Sequence, residues 1–125
     1  MTKITIQPSC ENAPRKSFLK DFNVAFATGN AGFIIDQVHE DITWVIHGDK
    51  MIRGKDQFAQ EVNLMKEYIA DELVIHNIIT HGREAALNGE MKMGGETYVF
   101  CDVYRFLDTR NNVIKEMNSY VIKIK

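Results

Sequence analysis

Two cysteines, two prolines and a single tryptophan are all that the 125 residues hold of these types. Cys10 and Cys101 form no disulfide framework and neither stands in a Cys-x-x-Cys pair, so both read as reduced thiols. An excess of positive charge is also missing. Fifteen Lys and Arg against 17 Asp and Glu leave a formal charge of -2, which excludes a general attraction for nucleic acid. The short basic pieces "PRK" and "KIK" are offset by acids elsewhere and read as solvated surface. No stretch approaches the roughly 20 apolar residues of a bilayer span, and the start "MTKITIQPSC" lacks the apolar core of a secretory signal. The expectation is a soluble, cytoplasmic protein with no nucleic-acid and no membrane partner. Glycine-rich phosphate motifs are absent too: "GNAG" follows a helical pattern and lacks the Gly-Lys-Ser/Thr ending. Among the histidines, His76 and His81 lie five apart in one strand and face opposite ways, His39 precedes the first strand, and "HNIITH" lacks the Glu of the helical metalloprotease motif. No metal and no cofactor are predicted.

What is present is an ordinary globular mixture, 45% apolar and 26% charged, enough for one domain over residues 1–125 with one core. Phe18, Leu19, Phe22, Ala25 and Phe26 recur at helical spacing between Asn12, a candidate cap, and Gly29, a candidate stop. Asn30 then caps a second, shorter helix through "AGFIIDQV". "HEDITWVIHG" reads as a strand ending at the Gly48-Asp49 turn. A third helix begins near Asp56 and carries Phe58, Val62, Met65 and Ile69 on one side. From Asp71 onward the pattern changes to strands: "ELVIHNIIT", "EAALNGEMKM", "TYVFCDVYRFL" and "VIKEMNSYVIKIK", separated by hairpin-length turns. The class predicted is α+β, three N-terminal helices closing one face of a strongly curved, mostly antiparallel sheet.

Alternation along a strand assigns faces. Arg105 marks an outer face, which sends Tyr98, Phe100, Asp102, Tyr104 and Phe106 inward. In the last strand Lys123 and Lys125 mark the outside, which sends Tyr120, Ile122 and Ile124 inward and takes Glu116 and Asn118 with them. Ile42, Trp44 and Ile46 share a face, as do Ala85, Leu87, Met91 and Met93. The interior so assigned is apolar and aromatic, with Asp102, Glu116 and Asn118 as polar intruders. An uncompensated buried carboxylate costs several kcal/mol, so Asp102 either holds its proton or finds donors. Two readings stand for it: a pocket carboxylate, or a strand-end acid bonded to Tyr120 or a backbone amide. His47, near the end of its strand, either reaches the pocket mouth as an acid/base group or faces solvent. Trp44 is a stacking wall or a large core residue, and Met91 an adaptable lining or a gap filler.

The segments "FNVAFATGN", "EDITWVIHGDKMIRGKDQF" and "CDVYRF", with the order of helices and strands, make the chain similar to the nuclear transport factor 2-like superfamily, in particular its SnoaL-like and ketosteroid isomerase branches. The resemblance implies a cone-shaped fold enclosing a pocket, and a homodimer packed through the outer sheet face. It places Asp102 where ketosteroid isomerases keep a protonated Asp that donates to the substrate oxyanion. It also places Phe22 where they have the oxyanion Tyr, and Ile46 where they have the general-base carboxylate. Neither side chain can do that chemistry, so the steroid isomerase mechanism is not implied. The Asp, Arg and Asp set of the related epoxide hydrolases is not found either, because Arg105 points to the other face. SnoaL-like polyketide cyclases depend on an acid/base carboxylate, a part that Asp102 or Glu116 could play.

Three hypotheses follow. The first is an isomerase, cyclase or hydrolase acting on a small apolar or aromatic molecule, with Asp102 and His47 catalytic and Phe22, Trp44, Ile46, Met91, Tyr104, Glu116, Asn118 and Tyr120 binding. The second is a non-catalytic binder using the same cavity. The third is an association module whose outer face carries Val99, Cys101, Val103, Val121 and Met117.

Overall fold

The apolar stripe from Leu19 to Phe26 winds into helix α1 (Pro14–Thr28). Pro14 opens it in the first turn, where a missing N–H costs nothing. Gly29 closes it in the left-handed conformation at φ 76°, and a side chain there would also run into the Lys66 carbonyl. Asn12 is not the cap: Ala13 occupies that position without a side-chain hydrogen bond. Asn30 does cap α2 (Ala31–Asp36), accepting from the Phe33 amide. The third helix, α3 (Lys55–Met65), buries Phe58 and Val62. It stops before Ile69, which is exposed. The structure, a computed structural model, describes residues 1–124.

Seven strands form one sheet: β1 (Lys3–Ile6), β2 (Val38–Ile46), β3 (Lys50–Arg53), β4 (Glu72–His81), β5 (Glu84–Met93), β6 (Glu96–Phe106) and β7 (Ile114–Ile124), in the order β1-β4-β5-β6-β7-β2-β3. The expected meander from β4 to β7 is antiparallel throughout, while β1 joins β4 and β2 joins β7 in parallel. Two strands escape the sequence reading, β1 and β3. Each has only four residues and lies at a sheet edge, too short to display an alternation.

Curvature comes from irregular pairing. Register shifts interrupt β4 between Ile75 and Asn77, β2 between Val38 and Thr43, and the β6–β7 pair between Arg105 and Phe106. Such bulges bend a strand and increase its twist. Gly89, opposite Ile75, sits where a Cβ would lie 2.1 Å from the Val74 carbonyl oxygen. The three helices cover the concave face, and Leu19, Phe22, Phe58, Leu73, Ile75 and Phe106 are wholly or almost wholly buried between them and the sheet. Burying a side chain of this size contributes about 1.5–3 kcal/mol. Arg15 fastens the start of α1 to the sheet: its guanidinium donates to Gly82 O, Asp108 O, Asn111 O and Asn112 Oδ1 and lies 4.0 Å from the Phe106 ring centroid. Among the described residues no helix is long and apolar enough to cross a membrane.

The structure overturns the face assignment made for the last strand. Arg105 pairs with Glu116 but the next residue, Phe106, pairs with Ile114, so Lys115 is the extra residue. The buried positions are therefore Ile114, Met117 and Ser119, and Val121 continues that face into the cavity wall. Glu116, Asn118 and Tyr120 turn outward. Glu116 pairs with Arg105, and Tyr120 is 46% exposed. Met117 and Val121, expected on the outer face, are inside. Lys125, one of the two markers used, lies outside the described residues, and Lys123 misled the parity because the inward face of β7 runs past the cavity before the strand ends. There Lys123 is half exposed and pairs with Glu96 at 2.8 Å.

Candidate functional site

The concave face of β2, β5, β6 and β7 and the inner sides of α1 and α3 leave a cavity of about 140 Å³. Its walls are largely hydrocarbon and ring: Phe26 from α1, Met65 from α3, Trp44 and Ile46 from β2, Met91 from β5 and Phe100 from β6. Phe26 meets Trp44 edge to face at 5.8 Å, and Trp44 packs on Phe58 at 5.4 Å. Trp44 is thus a core residue that also borders the cavity. Phe22 and Tyr104 stand one layer behind the cavity, fully or almost fully buried and in contact with each other at 6.2 Å.

Asp102 is the one charged side chain in this wall. Strand alternation turns it inward as expected, where it is part-buried and lines the cavity. Burial pushes its carboxyl up to about 6, against the opposing pull of hydrogen bonds from Ser119 and Tyr104. No Lys, Arg or His among the described residues forms an ion pair with it.

The direction of each hydrogen bond around Asp102 can be worked out from groups that only donate. Asn23 Nδ2 donates to Leu19 O at 2.9 Å and to Tyr104 Oη at 3.0 Å, so the Tyr104 proton is free to point to Asp102 Oδ2, 3.3 Å away. Trp44 Nε1 donates to Ser119 Oγ at 2.9 Å. Ser119, directly opposite Asp102 in the β6–β7 register, then has its own proton left for the carboxylate. Two chains, Asn23 to Tyr104 and Trp44 to Ser119, end as donors on one acid. Burial holds the Tyr104 phenol well above its ordinary range, so it keeps the proton it donates. Both chains stabilise the ionised form of Asp102, and desolvation opposes it.

Asn23 and Ser119 were not among the residues singled out from sequence. Asn23 had a legible signal: it follows Leu19 by four and precedes Phe26 by three, which puts an amide on the buried stripe of α1. Ser119 had none, since the apolar residues that anchored the parity of β7, Tyr120, Ile122 and Ile124, lie on the outer face. His47 is placed away from Asp102. It stacks on Tyr120 with centroids 4.2 Å apart and shares a hydrogen bond of 2.9 Å between Nε2 and Asn118 Oδ1. His47, Asn118 and Tyr120 therefore form their own cluster on the outer face, and the strict alternation that turns His47 outward holds.

A SnoaL-like domain matches residues 19–117. No curated protein matches the chain in sequence. Several solved structures share its fold. One is a nuclear transport factor 2-like protein of unknown function from Burkholderia xenovorans, 13% identical with a TM-score of 0.75 over 94% of this chain and 89% of that one. Another is an LEH-like epoxide hydrolase from Mycobacterium tuberculosis, 18% identical with a TM-score of 0.71 over 86% and 82%. A third is a de novo designed protein with a curved β-sheet, 14% identical with a TM-score of 0.72 over 90% and 88%. A hydrolase and a designed protein on one fold make plain that likeness at this level carries architecture and not activity.

Proposed function

The chain belongs to the SnoaL-like domain family, and from that footing we propose that it holds a small apolar or aromatic molecule in its cavity and exchanges a proton with it through Asp102. The observation that carries this reading is a carboxylate set in an apolar wall with two donated hydrogen bonds and, among the described residues, no cationic partner. Above about pH 6 the group is ionised, and its desolvation makes it a stronger base than a carboxylate in water. It would take a proton from a C–H, O–H or N–H acid, or from a water held beside the ligand, as an isomerase, cyclase or hydrolase step requires. Tyr104 and Ser119 fix its orientation. The role differs from that implied by the ketosteroid isomerase resemblance, where the matching Asp is a proton donor, because here the surrounding hydroxyls already point their protons at the acid.

Native mass spectrometry of the purified protein tests the pocket, and the pH profile of any turnover or ligand affinity tests the base. The expected result is a retained small molecule and an acid limb with its midpoint near 6. A profile unchanged by Asp102→Asn would overturn the base assignment.

A separate observation favours self-association. The outer sheet face exposes Val103, Tyr120, Ile122 and Ile124 on the neighbouring strands β6 and β7, and Ile79 on β4. Exposed apolar side chains on one face commonly mark an interface, and a homodimer would cover them.

A further inference from the structure

The cavity's polar groups are lopsided. Its wall contains four side chains that donate hydrogen bonds, and all four are engaged with the protein. Both Asn23 N–H bonds go to Leu19 O and Tyr104 Oη, the Trp44 N–H goes to Ser119, the Ser119 hydroxyl to Asp102, and the Tyr98 hydroxyl to Glu96 at 2.8 Å. On the acceptor side, a carboxylate has about four lone-pair sites, and two are taken by Tyr104 and Ser119. The remainder are left on a side chain that lines the cavity. A molecule entering this space meets an unfilled acceptor bearing negative charge and no free side-chain donor.

That inventory selects among ligand chemistries. A carbonyl or carboxylate ligand would leave its own oxygens unpaired, and an anion would in addition face Asp102 across a medium of low dielectric. A neutral hydroxyl can donate one bond. An ammonium group donates several and supplies the counter-charge that Asp102 lacks, while the rings of Trp44, Phe26 and Phe100 suit a cation bound to an apolar body. Lys123, at the strand end opposite Tyr98, is held by Glu96 at 2.8 Å.

We propose that the cavity selects small aromatic or branched aliphatic amines in their protonated form, with the ammonium on Asp102 and the apolar body among Phe26, Trp44, Met65, Met91 and Phe100. This rests on the cavity being the ligand site, as proposed above, but not on any proton transfer there.

Isothermal titration calorimetry at neutral pH with two matched series provides the test: benzylamine, benzyl alcohol, benzaldehyde and benzoate, and the naphthylmethyl equivalents. The amine should bind at least about tenfold more tightly than the alcohol or aldehyde of the same series, the difference expected for one charge-assisted hydrogen bond, and the carboxylate should not bind. Asp102→Asn should remove the preference, lowering amine affinity at least about tenfold. Met91→Trp, which fills the cavity without touching Asp102, should abolish binding of every member. Alcohol or aldehyde binding as tight as the amine, with all of it lost in Met91→Trp, would overturn the amine preference and leave the pocket reading standing. Amine binding that survives Met91→Trp would place the ligand elsewhere and overturn the proposal. Binding of no member of either series would overturn both readings.

Discussion

Replacing Asp102 with Asn should make the protein more stable at neutral pH, by an amount that the structure sets. In the folded chain burial raises the Asp102 carboxyl from 3.8 to about 6. The folded state therefore binds this proton more tightly than the unfolded state does, and stability falls as pH rises from 3.8 to about 6. Below that window both states hold the proton and the group contributes nothing. Above it both have lost the proton, and the penalty is complete. The gap between the two values corresponds to ~3 kcal/mol. Asn has the same shape and no charge, so its variant lacks this dependence. Its amide NH₂ will meet a Tyr104 or Ser119 hydroxyl that now has to accept, which costs about 1 kcal/mol at every pH and moves the curve without tilting it. Urea denaturation of both proteins across the acid range to neutrality gives two stability curves, and in their difference the titrations common to both cancel. The variant should gain ~3 kcal/mol relative to the parent between the acid and neutral ends. A difference flat in pH would refute the buried, cation-free description of Asp102. A difference of the opposite sign would mean that an unrecognised positive partner holds it.

Ser119→Ala removes one donor from Asp102 and leaves the Trp44 Nε1–H without its acceptor. It should cost about 1–3 kcal/mol of stability and move the Asp102 titration, followed by carbon NMR, upward from about 6. Gly89→Ala places a Cβ 2.1 Å from the Val74 carbonyl oxygen, which only a backbone shift at the β4 bulge can relieve. The expected loss in thermal or chemical denaturation is about 2 kcal/mol or more, and an undiminished midpoint would remove Gly89 as a determinant of the curvature. The double variant Tyr120→Glu, Ile122→Glu should convert a dimer to a monomer in sedimentation velocity while ligand binding in the cavity persists; unchanged sedimentation would dismiss the outer strip as an interface.

Much of this architecture was legible in the sequence because its signals are long. Three helical stripes, with Gly29 ending the first and Asn30 capping the second, and four strands of ten or eleven residues between turn signals, leave few alternatives. The short edge strands carry too few side chains to show a period. For the site, alternation in β2, β5 and β6 put Trp44, Ile46, Met91 and Asp102 on the cavity side, where the structure has them. It failed in β7 because the outward face is itself apolar at Tyr120, Ile122 and Ile124, so hydrophobicity pointed the wrong way. The groups that tune Asp102 were therefore the hardest to see: an amide hidden in a helix stripe and a serine between outward-facing apolar neighbours.

The two parallel pairings have a consequence for how the molecule is made. β1 can pair only once β4 exists, and β2, which carries Trp44, is held in the sheet by β7 at the far end of the chain. Contacts between segments so distant in sequence slow folding. On the ribosome the helices and the β4–β5 hairpin can form early, but the Trp44 to Ser119 bond cannot close until the last strand has emerged. Birth of the cavity and completion of the whole sheet are thus one event, and a nascent chain halted before Ile114 would present a bare edge at β6 and an orphaned β2–β3 ribbon to chaperones and proteases.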